Sequence, residues 1–426
     1  MLLKVNKMPK KIEWYLEFVD YDYKPSKTDL IVTFYVEPAE GLSFEEVAGR
    51  VASESSVGTW TTLAELPDRI KSLMAKTYER DRNIIKVAYP LDLWEPHNIP
   101  QLLSGIAGNI FGMKAVKNLR LLDYEPPQDY IKPFRGPQYG IKGIRELLKV
   151  NKRPILATVP KPKIGFSAEE QAQVAYEIWT GGIDLLKDDE NLSSLPFNKF
   201  ETRVEYAQKM REKVEAEIGE RRSYLINITA ETEVMKKRAR FVADLNWEYV
   251  MIDIVTTGWA AVQTLREVCE DLKLAIHAHR AMHATFTRNP KHGISMFALA
   301  KTARLIGVDQ IHTGTVVGKL EGPEEEVTKI NEFLRQDWYH IKQAFPVSSG
   351  GLHPGLLPEI LKRFGTNLVI QVGGGVLGHP MGAQAGAKAV RASIDAYFED
   401  MTLEEMAAKN IELQAALDKW GYIQPK

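Results

Sequence analysis

The feature that most constrains the fold is a series of eight short β-rich runs beyond about residue 150. Each run is nearly continuous in apolar residues, as expected for a parallel strand that is buried on both faces. Amphipathic segments with helical spacing separate them, for example AEEQAQVAYEIWTGG and MFALAKTARLIG. The eight runs are PILATV, IDLLK, YLINIT, YVMIDIV, LAIHAH, DQIHTG, FPVSSG and LVIQVGG.

Eight strand-helix units match a (β/α)₈ barrel in number and in total length. A doubly wound open sheet is the alternative, but eight near-regular units favour closure into a barrel. We therefore predict an α/β chain whose catalytic (β/α)₈ TIM barrel covers residues 136–400. Residues 401–426 are expected to form a C-terminal helical extension, opened by a capping box at Thr402 and Glu405.

The residues before the barrel predict a smaller α+β domain over 1–135. TDLIVTFYVEP, IIKVAYP and AVKNLRLLDYE have the β-branched and apolar content of strands. SFEEVAGRVASES is expected to be a helix opened by a Ser43–Glu46 capping box, and NIPQLLSGIAG a second helix. The alternation favours a ferredoxin-like arrangement. The Pro-rich and Gly-rich stretch YEPPQDYIKPFRGPQYG reads as a linker.

The composition narrows the range of partners. Hydrophobic residues make up 44% and charged residues 26% of 426, and the formal net charge is -1. Such a chain has no global field that attracts nucleic acid or an anionic membrane, so local charge must bind any anionic substrate. The sequence has no signal-peptide pattern and no membrane-spanning apolar run, and its single cysteine, Cys269, excludes an internal disulfide. We expect a cytoplasmic protein.

Reactive or glycine-rich residues follow almost every predicted strand. In a (β/α)₈ barrel, the catalytic groups sit at the C-terminal ends of the strands. The first run ends in Lys161-Pro162-Lys163 and the second in Lys187-Asp188-Asp189-Glu190. The later strand ends carry Asp253, His279, Arg280, His283, His312, Ser349, Gly350, Gly351, Gly373, Gly374 and Gly375. This concentration predicts a single site at the C-terminal mouth of the barrel.

The second strand end predicts a magnesium site. Asp189 and Glu190 are adjacent hard oxygen donors of the kind that Mg²⁺ prefers. A KDDE run is more often a solvated charge patch, but its position directly after IDLL favours a ligand set. Lys187 cannot bind a cation as an ammonium group, because it has no acceptor. Its neutral amine could capture CO₂ as a carbamate if burial and a nearby cation such as Lys161 lowered its pKa.

The remaining strand ends suggest a substrate with a phosphate at each end. Glycines after the seventh and eighth strands commonly hold a phosphate through backbone N–H groups, although they are also ordinary turn residues. Arg280 and His312 could hold a second phosphate across the barrel mouth. His279 titrates near neutrality and is a candidate general base.

The segment HTGTVVGKLEGPEEE has the composition of a mobile lid. Lys319 lies among small residues, and the glycines on either side could act as hinges that bring its charge to the reacting centre. A loop lysine without a task is the alternative.

The ordered set of motifs resembles the large subunit of ribulose-1,5-bisphosphate carboxylase/oxygenase (RuBisCO). The motifs are TVPKPKIG, GGIDLLKDDEN, HAHRAMHA, IHTGTVVGKLEG, SSGGLHPG and VGGGVLGHP, with ESSVGTWTT and GNIFGMKAVKNLRL in the amino-terminal domain. The resemblance covers nearly the whole chain. Pro160, the run His353-Pro354-Gly355 and the short carboxyl terminus are most similar to the archaeal form III type.

This resemblance implies Mg²⁺-dependent carboxylation and oxygenation of ribulose 1,5-bisphosphate. An activating CO₂ would convert Lys187 to a carbamate, which would bind Mg²⁺ together with Asp189 and Glu190 and take the C3 proton to form an enediolate. Carboxylation would then give two molecules of 3-phosphoglycerate. Lys161 would protonate the final carbanion with the support of Lys163.

The resemblance also implies roles for the other site residues. His279 would assist proton transfer at C3, and Lys319 would stabilise the new carboxylate. The substrate-binding set would be Arg280 and His312 at one phosphate, Ser349 near the sugar hydroxyls, and Thr59, Trp60, Gly350, Gly351, Gly373 and Gly374 around the other phosphate.

Two amino-terminal residues, Glu54 and Asn109, imply a shared active site. In the family these residues reach the barrel mouth of a partner subunit, where Glu54 would pair with Lys319. The working unit would then be a homodimer, assembled into a larger homo-oligomer without a small subunit. The form III likeness further implies a role in the degradation of nucleotides such as AMP.

Two other functions remain open on the sequence. A RuBisCO-like (form IV) protein would enolise or isomerise a related sugar phosphate without fixing CO₂. A phosphosugar-binding or regulatory protein would have lost catalysis, but binding alone requires neither the acid-base groups nor the metal ligands.

Overall fold

The computed structural model describes residues 13–59, 61, 66–317 and 324–422. The chain divides into two compact units. The first comprises Met1–Phe134 with Ala284–Leu299, and the second comprises Arg135–His283 with Ala300–Lys426. The predicted boundaries at 135 and 400 stay predictions, and residues 284–299 belong to the first unit.

The first unit is built on a mostly antiparallel sheet. Its strands are β1 (Leu30–Pro38), β2 (Lys76–Asp81), β3 (Ile84–Tyr89) and β4 (Val116–Glu125). They lie in the order β4-β1-β3-β2, which is the ferredoxin-like order, and the short strand Gly293–Ile294 pairs in parallel with β4. Alternate β1 side chains such as Val32 and Phe34 are fully buried, as the pattern of TDLIVTFYVEP predicts. The predicted α+β fold is confirmed.

The helices of the first unit follow the sequence signals closely. They are Phe44–Glu54, Asp68–Lys71, Ile99–Ile106, Gln128–Ile131 and Ala284–Thr287, with 3₁₀ turns at Glu13–Phe18, Leu91–Leu93 and Asn109–Gly112. The Ser43 side chain accepts a hydrogen bond from the Glu46 N–H, but only this half of the predicted capping box forms. The Glu46 carboxylate instead pairs with Arg50 at 2.8 Å, one helical turn further on.

The second unit is a closed barrel of eight parallel strands. The strands are β5 (Ile155–Thr158), β6 (Leu185–Lys187), β7 (Ser223–Asn227), β8 (Tyr249–Asp253), β9 (Ala275–His279), β10 (Gln310–His312), β11 (Phe345–Ser349) and β12 (Val369–Gln371). Each matches one of the eight predicted runs. Closure is completed between β12 and β5, where Val369 lies opposite Ile155. The predicted (β/α)₈ fold is therefore confirmed.

Helices follow the barrel strands in sequence and cover them. In chain order the helices of the second unit are Gly140–Leu148, Ala168–Thr180, Phe200–Ile218, Thr232–Asp244, Ile254–Thr257, Trp259–Asp271, Glu324–Arg335, Leu357–Phe364, Gly374–Leu377, Ala383–Phe398, Leu403–Ala407 and Ile411–Trp420. A 3₁₀ turn covers Pro354–Leu356, and Met296–Ile306 is shared between the units. Both halves of the predicted Thr402–Glu405 capping box form. None of the described helices is long and apolar enough to span a membrane.

A buried carboxylate ties the start of the second unit to the barrel. One Asp309 oxygen accepts the backbone N–H groups of Tyr139 and Gly140 at 2.7 and 2.9 Å, and the other accepts the N–H of Ile276 at 3.0 Å. Burial raises the pKa of Asp309, and the hydrogen bonds from these backbone groups oppose that rise. The carboxylate thus joins the segment before the first barrel helix to β9.

We predict that Asp309→Ala lowers the free energy of unfolding by about 3 kcal/mol, because three buried N–H groups lose their acceptor. Asp309→Asn keeps one acceptor oxygen and should be intermediate. Thermal or denaturant unfolding of the purified protein measures the difference. Asp244→Ala, at the exposed end of a helix in the same unit, is the control. Equal stability of the Asp309 and Asp244 variants would contradict this role.

Candidate active site

A cavity of about 590 Å³ opens at the C-terminal ends of the barrel strands. Predicted site residues from six strand ends line it, and residues from the last helix join them. The lining comprises Val159, Lys161, Lys163, Asp189, Glu190, His279, His312, Ser349, Gly350, Gly351, Leu352, His353, Gln371, Gly373, Gly374, Gly375, Gly378, Lys419 and Trp420. The barrel therefore brings most of the predicted residues of the second unit together.

Acidic and basic groups alternate at the end of β6. Glu190 Oε2 lies 3.9 Å from Lys187 Nζ, and Glu190 Oε1 lies 3.2 Å from Lys163 Nζ. Lys161 Nζ lies 3.5 Å from Asp189 Oδ2. Burial alone would raise the pKa of Glu190, but the charges of His279 and Lys187 outweigh it and lower the pKa to about 2. Glu190 is therefore an ionised oxygen donor at neutral pH.

Lys187 is almost completely buried, with 1% of its side chain exposed. Its Nζ donates to the backbone oxygen of Asp188 at 2.8 Å. Burial lowers the pKa of Lys187, although the acidic groups around it, led by Glu190, act in the opposite direction. A lowered pKa increases the fraction of neutral amine, which is the form that can react with CO₂.

The donors at this site suit a hard divalent cation but are incomplete. Asp189 Oδ2 is buried, and apart from the Lys161 ammonium at 3.5 Å it has no hydrogen-bond partner, so this carboxylate oxygen suits a cation ligand. Among the described residues, no group of three His, Cys, Asp or Glu side chains is arranged to hold a metal ion. Asp189 and Glu190 therefore need a further anionic donor, and Lys187 would become one if it carried a carbamate.

Asp188 anchors the same loop from behind, and the sequence analysis gave it no role. Its Oδ1 accepts hydrogen bonds from Gln171 Nε2 at 2.8 Å and from the Tyr224 hydroxyl. Its Oδ2 accepts from the Asn227 N–H at 2.9 Å and pairs with Arg203 at 3.2 Å. Side chains that follow a strand alternate in direction, and this alternation separates Asp188 from Asp189. The two-residue period of a strand was therefore the sequence signal that could have distinguished Asp188 from Asp189.

Histidines form the opposite wall of the cavity. His279 Nδ1 lies 3.2 Å from Asp253 Oδ1, and its Nε2 lies 3.7 Å from Glu190 Oε2. Burial, with a further effect of the Lys187 charge, lowers the pKa of His279. A largely neutral imidazole beside a carboxylate can accept a proton, which agrees with the predicted general base.

A buried hydrogen-bond chain supports this wall from inside the barrel. It runs from Tyr249 OH to Gln310 Nε2 at 3.0 Å, and from Gln310 Oε1 to His277 Nδ1 at 3.0 Å. His277 Nε2 then meets His312 Nε2 at 2.9 Å, and His312 Nδ1 meets Ser349 Oγ at 2.8 Å. Burial lowers the pKa of both histidines well below 6.5. Tyr249, His277 and Gln310 were not among the site residues predicted from the sequence.

The glycines form a surface that approaches the reactive groups closely. Gly350 and Gly351 have φ values of +115° and +67°, which favour glycine. A Cβ on Gly373 would lie 3.3 Å from Lys161 Cε, and one on Gly375 would lie 2.5 Å from the Leu352 carbonyl oxygen. A Cβ on Gly374 would meet nothing within 4 Å. Gly374 therefore borders open space in the cavity.

Several predicted residues lie elsewhere. Arg280 is not among the residues that line the cavity. Burial lowers the pKa of Arg280 to about 10, and the charge of Glu326 acts in the opposite direction. That Arg280 and His312 hold one phosphate stays a prediction. Lys319 and Trp60 lie outside the described residues.

The predicted amino-terminal residues belong to the first unit. Glu54 ends the helix Phe44–Glu54 and is exposed, and Asn109 begins the turn Asn109–Gly112 and is also exposed. Ser55 Oγ donates to the Gly105 carbonyl at 2.6 Å, which holds the end of one helix beside the helix that precedes Asn109. Thr59 follows Gly58, whose Cβ would lie 2.3 Å from Ser53 Cβ. The ESSVGT motif thus forms a tight turn after the helix.

A larger cavity of about 740 Å³ lies at the other end of the barrel strands. Several of its charges are paired with one another: Arg153 contacts Asp184 at 2.6 Å, and Arg222 contacts Glu220 at 3.0 Å. The smaller cavity is the stronger candidate for catalysis, because the pKa values of Glu190 and His279 are shifted there and Asp189 Oδ2 lacks a hydrogen bond.

Comparison with known families shows which family the chain belongs to. The model for the ribulose bisphosphate carboxylase large chain, catalytic domain, matches residues 140–420, and that for the N-terminal domain of the same chain matches residues 17–130. The chain belongs to the RuBisCO large-chain family. The predicted enzyme class, a ribulose-bisphosphate carboxylase, is thereby confirmed at the level of the family.

Archaeal RuBisCO proteins are highly similar over their full length. The ribulose bisphosphate carboxylase of Pyrococcus furiosus is 62% identical, over 98% of this chain and 100% of the relative. A solved octameric RuBisCO from Pyrococcus horikoshii, in complex with sulfate ion, has a TM-score of 0.93 and 58% identity, covering 97% of this chain and 99% of that one. A dimeric archaeal RuBisCO from Hyperthermus butylicus has a TM-score of 0.91 and 49% identity, and the match covers 96% of this chain and 100% of that one. The predicted archaeal likeness is confirmed.

We predict different effects for alanine substitutions at two neighbouring glycines, Gly374 and Gly375. Gly375→Ala should lower the midpoint of thermal unfolding, because its methyl group would overlap the Leu352 carbonyl. Gly374→Ala should leave that midpoint within about 2 °C but weaken the binding of inorganic phosphate, because its methyl group would enter the cavity. Calorimetry measures both quantities. Unchanged phosphate binding in Gly374→Ala would remove Gly374 from the anion site.

Proposed function

We propose that this chain carboxylates ribulose 1,5-bisphosphate, and also oxygenates it, in a Mg²⁺-dependent reaction. Carboxylation consumes one sugar bisphosphate, one CO₂ and one water and yields two molecules of 3-phosphoglycerate. The observation that carries the proposal is the buried Lys187 beside the ionised carboxylate of Glu190, with the buried carboxylate of Asp189 at the same strand end. This arrangement supports an activated lysine better than it supports a simple ion pair.

Activation begins at the Lys187 amine. Its neutral form attacks CO₂, an N–C bond forms, one proton leaves, and the product is a carbamate anion. The carbamate, Asp189 and Glu190 would together hold Mg²⁺, with oxygen ligands from all three. When bound, Mg²⁺ supplies positive charge that favours ionisation of the sugar carbon next to a carbonyl group.

Proton transfer follows from the basic groups around the cavity. The carbamate on Lys187 would take the C3 proton to give the enediolate, and His279 beside Asp253 would assist proton transfer at C3 during hydration. Burial lowers the pKa of Lys161 against the opposing charge of Asp189. Lys161, supported by Lys163, would donate the last proton to the carbanion, because an ammonium of lowered pKa is a better acid.

The two ends of the substrate would occupy different walls. Gly351, Gly373 and Gly374, with Thr59 and Trp60, would hold one phosphate, and Gly350 lies beside them in the lining. Arg280 and His312 would hold the other. Ser349 would contact the sugar hydroxyls, and Lys319 would stabilise the carboxylate formed from CO₂.

We further propose that two subunits share each active site. Glu54 and Asn109 would reach the barrel mouth of a partner subunit, which makes a homodimer the working unit. The solved archaeal relatives, described as octameric and dimeric, support a homo-oligomer. A small subunit is not expected. The use of sugar derived from nucleotides such as AMP, and a cytoplasmic location, rest on the resemblance and composition alone.

We predict acid-stable label in 3-phosphoglycerate when the purified protein is incubated with Mg²⁺, ribulose bisphosphate and labelled bicarbonate. Lys187→Ala should reduce this label by more than about 1000-fold, because no carbamate can form. Preincubation with CO₂ and Mg²⁺ should shorten the lag of the parent protein. Enolisation without label would instead identify a form IV activity, and tight binding without either reaction would identify a sugar-binding protein.

Glu54→Gln should lower kcat by at least about 100-fold although it lies in the first unit. The exposed Glu40→Gln in the same unit is the matched control and should retain activity. Co-expression of Glu54→Gln with Lys187→Ala subunits should restore part of the activity, because a mixed dimer contains one site with neither change. Full activity in a monomer, or no restoration in verified mixed dimers, would contradict the shared site.

A further inference from the structure

The end of the last helix, Ile411–Trp420, forms part of the candidate active site. Lys419 and Trp420 line the 590 Å³ cavity together with Gly350, Gly351 and Gly373. The sequence predicted only a helical extension after residue 400, with no site residue. The contacts of Lys419 and Trp420 give the end of this helix a more specific role.

Lys419 holds the loop that follows β12. Its Nζ donates to the Gly378 carbonyl at 2.6 Å, and the Gly378 N–H donates to the Gly374 carbonyl at 2.8 Å. A lysine that binds the last carbonyl of a helical turn stabilises that turn. Lys419 therefore fixes the far end of the same turn whose first residues, Gly374 and Gly375, border the cavity.

Trp420 holds the loop that follows β11. Its indole lies 5.9 Å from the His353 ring and 6.3 Å from the His379 ring, measured between centroids. A Cβ on Gly378 would lie only 3.6 Å from its Cζ2 atom. The indole thus packs against residues of both glycine-containing loops, because His353 follows Gly350-Gly351 and His379 follows Gly378.

The two loops have little freedom to move apart or together. A Cβ on Gly375 would lie 2.7 Å from His353 Cα, and one on Gly355 would lie 2.1 Å from the Gly421 carbonyl oxygen. His379 Nε2 lies 2.8 Å from the Glu412 carbonyl oxygen at the start of the last helix. The helix is therefore attached at both ends to the loops that border the cavity.

The surroundings of the Lys419 ammonium group differ from those of the other lysines that line the cavity. Lys161 and Lys163 face the carboxylates of Asp189 and Glu190. The Lys419 ammonium instead contacts a backbone carbonyl and lies 5.2 Å from the centre of the Trp420 ring. No carboxylate neutralises Lys419 among the ion pairs of the described residues, so its field acts on an anion in the cavity.

We propose that Lys419 and Trp420 are positioning residues that clamp the two glycine loops and set the affinity of this end of the cavity for a phosphate group. Lys419 also contributes positive charge there. The identity of the physiological ligand rests on the proposed function. The clamp itself requires only that the glycine loops bind an anion.

The test compares Lys419→Met with Lys419→Arg in the full assembled protein. Lys419→Met should raise the KM for ribulose bisphosphate about 10-fold and change kcat less than about twofold, because it weakens binding without touching the reacting atoms. Lys419→Arg retains the charge and a donor and should recover most of the affinity. Lys409→Met, on the same C-terminal segment but outside the lining, is the matched control.

Titration calorimetry with inorganic phosphate, without Mg²⁺ or CO₂, gives a readout that is independent of turnover. Its dissociation constant should rise about 10-fold in Lys419→Met and less than twofold in Lys409→Met. Trp420→Phe should weaken phosphate binding less than Trp420→Ala, with thermal melts as a check of folding. Unchanged phosphate affinity and KM in folded Lys419→Met would overturn the clamp and leave the proposed carboxylase intact. Weakened phosphate binding in a protein that fixes no CO₂ would support the clamp and reject the proposed function.

Discussion

The buried carboxylate of Asp188 is the interaction on which the catalytic end of the barrel depends. Its two oxygens are satisfied by Gln171, Tyr224, Arg203 and the Asn227 N–H. Removing Arg203 would leave a carboxylate with 0% exposure without its countercharge, which costs far more than removing one partner of a surface ion pair. This network fixes the backbone between Lys187 and Asp189, with Asp189 lining the cavity and Lys187 buried beside Glu190.

The site combines groups whose pKa values are shifted in ways that suit different tasks. Burial lowers the pKa values of Lys187 and His279, whereas the basic groups around Glu190 lower the pKa of that carboxyl to about 2 against its own burial. Neutral amines and imidazoles react or accept protons, and an ionised carboxylate binds metal. Such separation of pKa values within one cavity is the usual physical basis for assigning acids, bases and ligands.

The sequence predicted the barrel well because its strands are buried on both faces and so appear as uninterrupted apolar runs. It missed β2, where Lys76–Asp81 is largely polar and exposed at the edge of the sheet, and the two-residue strand Gly293–Ile294. The residues at strand ends were predictable from the barrel rule alone. Glu54, Thr59 and Asn109 were suggested only by family resemblance, since polar residues outside the core carry no local signal.

Contacts between distant parts of the chain explain the remaining omissions in the site. Asp188 was visible in the KDDE run, but its partners lie 15 to 39 residues away. Lys419 meets Gly378 across 41 residues, and neither position is unusual in its own segment. Packing of this kind is decided by tertiary structure, so hydrophobic period and turn chemistry give no indication of it.

The contact between His277 and His312 has a consequence for the way the cavity presents hydrogen atoms. Only one proton fits between their two Nε2 atoms, so the two rings cannot both be cations. The position of this proton determines which group donates and which accepts in the hydrogen bonds from Gln310 to Ser349. The orientation of the Gln310 amide, deep inside the barrel, therefore determines whether the Ser349 hydroxyl presents a hydrogen or a lone pair to a group bound in the cavity.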